Sequence, residues 1–138
     1  MNHQRSVDIS KPQLAGFSVL RCIVDFAFTL HLVKPEQAVP EQEEALLRIE
    51  EPFEVILDGV RFQFDSQRDL VGLGRALTLF RRVVDTAVID SDGGLEVTFV
   101  DHTVLRVPSN PDFEYWNLDG PHGVLIVAGP GDRVSVFR

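Results

Sequence analysis

Four histidines, His3, His31, His102 and His122, are the side chains best suited to hold a metal or move a proton near neutral pH. None forms an HxxxH or HExxH pair, so no local zinc signature exists. His102 stands beside Asp101, and His122 lies three residues after Asp119, all in turn-rich sequence. His102, Asp119 and His122 are therefore the candidate metal ligands, if the fold gathers them. Nothing in their spacing requires it, and no metal or cofactor is expected. Asp112 and Glu114 are a candidate carboxylate pair, although their place beside Pro111 and Trp116 fits turn and rim residues better.

Other chemistry is weakly supported. Asp90-Ser91-Asp92-Gly93-Gly94 resembles a calcium loop, but the EF-hand glycine position holds Leu95 and its final glutamate position holds Asp101. A hairpin turn explains the segment better. Val71-Gly72-Leu73-Gly74 begins like a dinucleotide turn, yet Leu77 replaces the third glycine and no βαβ unit surrounds it. No Gly-Lys-Ser/Thr sequence is present, and no serine sits in a Gly-x-Ser-x-Gly turn. Arg68, Arg75 and Arg82 are spaced by seven and would share one α-helical face, most simply a solvated one.

These residues must be positioned mainly by strands. Asp58-Gly59 tolerates the positive φ angles of a two-residue hairpin turn. Folding there pairs Leu57 with Val60, Val55 with Phe62 and Phe53 with Phe64, all on one face. Gly59 is thus a structural residue. Phe62 is expected in the core, where Phe62→Ala would cost roughly 3–5 kcal/mol. Two strands are expected over 17–23 and 24–32, with Phe26, Phe28, Leu30 and Leu32 on one face. A strand over 46–50 pairs with the second of them across an acidic loop, 34–44. A three-residue loop at 101–103 sets Phe99 opposite Leu105. A last hairpin turns at Gly129-Pro130-Gly131-Asp132.

One helix is expected. Ser66 and Asp69 resemble a capping box, and Leu70, Leu73, Leu77, Phe80 and Val84 form an α-helical stripe. The reading is an α+β fold: a curved antiparallel β-sheet of several hairpins, with one amphipathic helix packed on one face. Residues 1–13 read as a flexible polar arm and 14–138 as one domain.

The chain of 138 residues carries a net charge of −8. That balance disfavours nucleic acid and suits a basic protein partner. No apolar stretch is long enough to cross a bilayer. The single cysteine, Cys22, fits a reducing, cytoplasmic setting and reads as a buried thiol. Ile56, Val100 and Val104 fall on the nominal outer face, which calls for a cover: the sheet's own curvature or a second subunit in a homodimer.

The stretch Pro111-Asp112-Phe113-Glu114-Tyr115-Trp116-Asn117-Leu118-Asp119-Gly120-Pro121-His122-Gly123 is the most distinctive. It resembles a family of small acidic actinobacterial proteins of unknown role, whose motif runs Pro-Asp, aromatic, Glu, any, Trp, any, Leu, any, Gly-Pro, any, Gly. The family's last hairpin turns on Pro-Gly-Gly, where this chain has Asp132 in the final place. Val24-Asp25-Phe26-Ala27-Phe28-Thr29-Leu30, Glu51-Pro52-Phe53 and Arg81-Arg82-Val83 extend the resemblance. His102 stands where that family commonly has glycine, and 34–44 looks like an insertion. The resemblance implies no activity. A weaker, compositional likeness is to immunity proteins that neutralise bacterial toxins. On its own chemistry Trp116, flanked by Phe113 and Leu118, reads as a plug at one end of the sheet.

The expected function is a non-enzymatic protein-interaction module, immunity-like or regulatory. Glu36, Glu41, Glu43 and Glu44 would steer a basic partner, with Ile56, Val100 and Val104 as apolar contact. The alternative is a small-molecule or metal-dependent enzyme with its site near the C-terminal turns.

Overall fold

A computed structural model describes residues 10–34 and 43–138. The hairpin at Asp58-Gly59 forms as its turn chemistry dictates. Asp58 and Gly59 both have positive φ, 49° and 80°, and close β4 (Phe53–Leu57) onto β5 (Val60–Phe64). The register pairs Phe53 with Phe64, Val55 with Phe62 and Leu57 with Val60.

Among the described residues the antiparallel strands divide into two sheets. One has six strands in the order β1-β2-β3-β9-β10-β11. These are β1 (Ser18–Val24), β2 (Phe28–Lys34), β3 (Glu43–Ile49), β9 (Trp116–Asp119), β10 (Leu125–Ala128) and β11 (Val134–Phe137). The other has the order β5-β4-β8-β7-β6, adding β6 (Val84–Ile89), β7 (Leu95–Phe99) and β8 (Val104–Val107). The fold is α+β and mainly β. Both sheets face one core, where Phe28 of β2 stacks on Phe53 of β4 at 5.2 Å, and Phe53 meets Phe64 at 5.3 Å.

Several local expectations need correction. The break between the first two strands is a turn at 25–27, where the Ala27 amide donates to Asp25 Oδ1 at 2.7 Å. Phe26, expected to share the face of Phe28, Leu30 and Leu32, rides on that turn and is 83% exposed. The β7–β8 loop is Val100-Asp101-His102, closed by Phe99 N donating to Thr103 O at 2.8 Å. Val97 therefore faces Leu105, a register shifted by two from expectation. His102 takes φ 73°, the conformation a three-residue hairpin needs at its last loop position. Ser10 O accepts from Ile89 N at 2.6 Å, so residues assigned to the polar arm lie along the β6 edge from residue 10 onward.

The helix is a 3₁₀ helix, Gly72–Leu79, not an α-helix. Three residues per turn put Leu73, Ala76 and Leu79 into the core. Leu70, Leu77 and Phe80, expected on the buried stripe, are exposed, and Val84 belongs to β6. Gly72 and Gly74 lower α propensity here. Ser66 does not cap; its hydroxyl donates to Phe26 O at 3.0 Å. Asp69 Oδ1 accepts from Gly72 N at 2.8 Å instead. The three arginines consequently share no helical face: Arg75 lies over the Phe62 ring at 4.3 Å, and Arg82 pairs with Asp101.

Candidate binding groove

Five separate chain segments meet at one end of the two sheets and line an open groove of about 620 Å³. The β1–β2 turn contributes Phe26. The corner between β3 and β4 contributes Arg48, Glu50 and Glu51. The segment before the 3₁₀ helix contributes Gln67 and Arg68. Asp112, Phe113 and Glu114 close the remaining side, against Pro130.

Asn110 builds that last wall. Its side-chain oxygen accepts from the amides of Asp112 at 2.9 Å and Phe113 at 3.1 Å, which folds the loop back on itself. Its side-chain nitrogen donates to Glu51 Oε1 at 3.0 Å, and its carbonyl accepts from Gly131 N at 2.8 Å. Gly129, at φ 96°, lets the C-terminal turn approach: a Cβ there would lie 2.6 Å from Phe113 O. Opposite, Gln67 Nε2 donates to Glu50 O at 2.8 Å, and the buried Ser66 holds Phe26 O.

The groove's charges are unequally matched. Arg48 is occupied by Glu50 at 3.2 Å and Asp25 at 3.7 Å, and Arg68 reaches Asp65 at 4.0 Å. Glu51, Asp112 and Glu114 have no ion-pair partner among the described residues. Partial burial pushes the Glu51 carboxyl above its ordinary range, the nearby Asp65 and Glu50 charges add to this, and Arg68 opposes it. Phe26 and Phe113 line the same groove, 83% and 61% exposed. The arrangement suits a cation with apolar flanks.

The residues singled out from sequence lie elsewhere. Glu43 and Glu44 open β3 and lie near His122 at 3.8 Å and His31 at 3.5 Å. Glu36 and Glu41 lie outside the described residues. Ile56 and Val104 are cross-strand partners on the outward face of the five-stranded sheet, both half-buried, and Val100 sits on the β7–β8 turn. Beside them Arg106 links Glu54 at 3.0 Å and Glu96 at 3.4 Å. Glu43 and Glu44 thus belong to the six-stranded sheet, and the aliphatic trio to the five-stranded one and its turn. His102 sits in the five-stranded sheet's turn, whereas Asp119 and His122 accompany the six-stranded sheet. Among the described residues no three His, Cys, Asp or Glu side chains are grouped to hold a metal.

Trp116 is wholly buried, and its Nε1 donates to Gly93 O at 2.9 Å. Tyr115 is equally buried, its hydroxyl 2.7 Å from Gly131 O. Phe62 is only half-buried. Cys22 is half-buried on β1, where burial pushes its thiol up to about 11, so it stays protonated at neutral pH. Sequence reasoning missed Phe26, Phe113 and Glu51 as groove residues. The Asp25-Phe26-Ala27 turn and the Asn110-Pro111-Asp112 turn carried the available signal.

Two antiparallel sheets around one core, with an open acidic and aromatic groove at one end, define a small β-rich α+β protein. The chain belongs to a family of unknown function, DUF6188, whose model matches residues 10–138. No curated protein and no solved structure matches. Among the described residues no helix is long and apolar enough to cross a membrane.

Proposed function

We propose that this protein is a non-enzymatic interaction module that docks a basic segment of another protein, as an immunity-like or regulatory protein would. One observation carries the reading: Glu51, Asp112 and Glu114 form no ion pair within 4 Å among the described residues and share a groove with two solvent-facing phenyl rings. Leaving large apolar rings in water is unfavourable unless a partner covers them. The net charge of −8 steers a basic partner over longer range, with Glu36, Glu41, Glu43 and Glu44 adding to the field. The outward face at Ile56 and Val104 offers less, because two half-buried aliphatic side chains beside an ion-paired arginine make a small patch. The groove, not a homodimer through that face, is the contact this reading favours.

The test is calorimetric titration with peptides of equal length and apolar content, one rich in Arg and Lys, one with Gln in their place. The basic peptide should bind, and its affinity should weaken as salt rises. Equal binding of both peptides, or of neither, overturns the reading.

A further inference from the structure

We infer that the groove is a socket for one arginine side chain of the partner, with Glu51 as its anion and Phe26 and Phe113 as its aromatic walls. The inference rests on the reading of the protein as a module for basic segments.

Three features of the groove select a guanidinium. The first is charge. Both lining arginines already face carboxylates, so the negative charge left over on Glu51, Asp112 and Glu114 calls for an incoming cation. The second is desolvation. Glu51 is partly withdrawn from water and crowded by Asp65 and Glu50, which Arg68 offsets only in part, so its ionised form is disfavoured. An arriving cation relieves that cost, whereas a neutral group does not. Asn110 Nδ2 holds Oε1 from one side, fixing the carboxylate's orientation and leaving Oε2 for a ligand. The third is aromatic. Two exposed phenyl rings border the carboxylates. A planar guanidinium is weakly hydrated, stacks on such rings and presents parallel N–H donors to a carboxylate; an ammonium is a strongly hydrated point charge that does neither as well. The protein already uses this contact internally, where the Arg75 guanidinium lies 4.3 Å above Phe62. The volume, about 620 Å³, leaves room for the residues flanking the arginine.

The test uses the full chain and three peptides that differ at one position: arginine, lysine or citrulline, the last being arginine's uncharged isostere. Each is titrated against wild type, Glu51→Gln, Phe26→Ala, Phe113→Ala and the control Asp85→Asn, an exposed carboxylate on β6. The arginine peptide should bind most tightly. Citrulline should lose about tenfold or more, in line with removing a charge-assisted hydrogen bond. Glu51→Gln and each phenylalanine variant should weaken the arginine peptide several-fold and narrow its advantage over citrulline, while Asp85→Asn leaves that advantage intact. Because both phenylalanines are exposed, their variants should melt like wild type, which separates lost binding from lost folding. Binding of the arginine peptide that is indifferent to Glu51, Phe26 and Phe113 overturns the socket while the interaction module stands. Failure of every cationic peptide to bind wild type overturns both.

Discussion

Trp116 satisfies its only polar atom without leaving the core, because the β6–β7 turn offers the Gly93 carbonyl at 2.9 Å. The plug expected from sequence is therefore a hydrogen-bonded one. Its fluorescence should be blue-shifted and resistant to iodide; red, freely quenched emission would contradict the burial. The phenylalanines separate by environment. Phe53 is buried and stacked on Phe28, so Phe53→Ala should cost about 3–5 kcal/mol in chemical denaturation. Phe62, read from alternation as equally buried, is half-open beneath Arg75, and its replacement should cost only about 1–2 kcal/mol. Alternation identifies the inward face of a strand, but an edge strand's inward face is covered less completely. Phe26 departs from alternation for a different reason: period two continues through it in sequence, while the backbone turns at Asp25.

At the scale of elements, hairpins whose turn chemistry and apolar pattern agree were legible. The Asp58-Gly59 pair formed in its expected register. β2 and β3 also pair antiparallel as expected, although 34 and 43 are the nearest described residues across their connection. β9 was not legible, since four residues, Trp116–Asp119, between turn-forming stretches are too few for a period to declare itself. The 3₁₀ helix was read with the wrong period, 3.6 in place of 3. Its triangular section buries Leu73, Ala76 and Leu79 and leaves Val71, Gly74, Leu77 and Phe80 outward, with Val71 94% exposed. Leu73→Ala should thus cost about 2–5 kcal/mol. Leu77→Ala should fall within about 0.5–1 kcal/mol of wild type. Equal losses would restore the α-helical reading.

Over the whole molecule, the groove gathers Glu50, Glu51, Asp112 and Glu114 from separate connections. Neither the groove nor its members could be read from any linear motif, because Phe26, Glu51 and Phe113 meet only after both sheets have formed. Glu51 supplies a pH signature of that convergence. Its folded pKa is raised, so the stability it contributes is present below the unfolded carboxylate range and is lost as pH rises through the folded value. Glu51→Gln should therefore be more stable than wild type at pH 7 in denaturant titrations. The difference should vanish at pH 3, where both side chains are uncharged.

The placement of β9 between β3 and β10 has a consequence for biosynthesis. Three of the six strands of that sheet come from residues 116–137, and one of them covers the edge of a strand made some seventy residues earlier. A nascent chain halted at Glu114 would hold β3 with its flank bare and lack Trp116, so ribosome-tethered intermediates should need chaperone protection until the final stretch emerges.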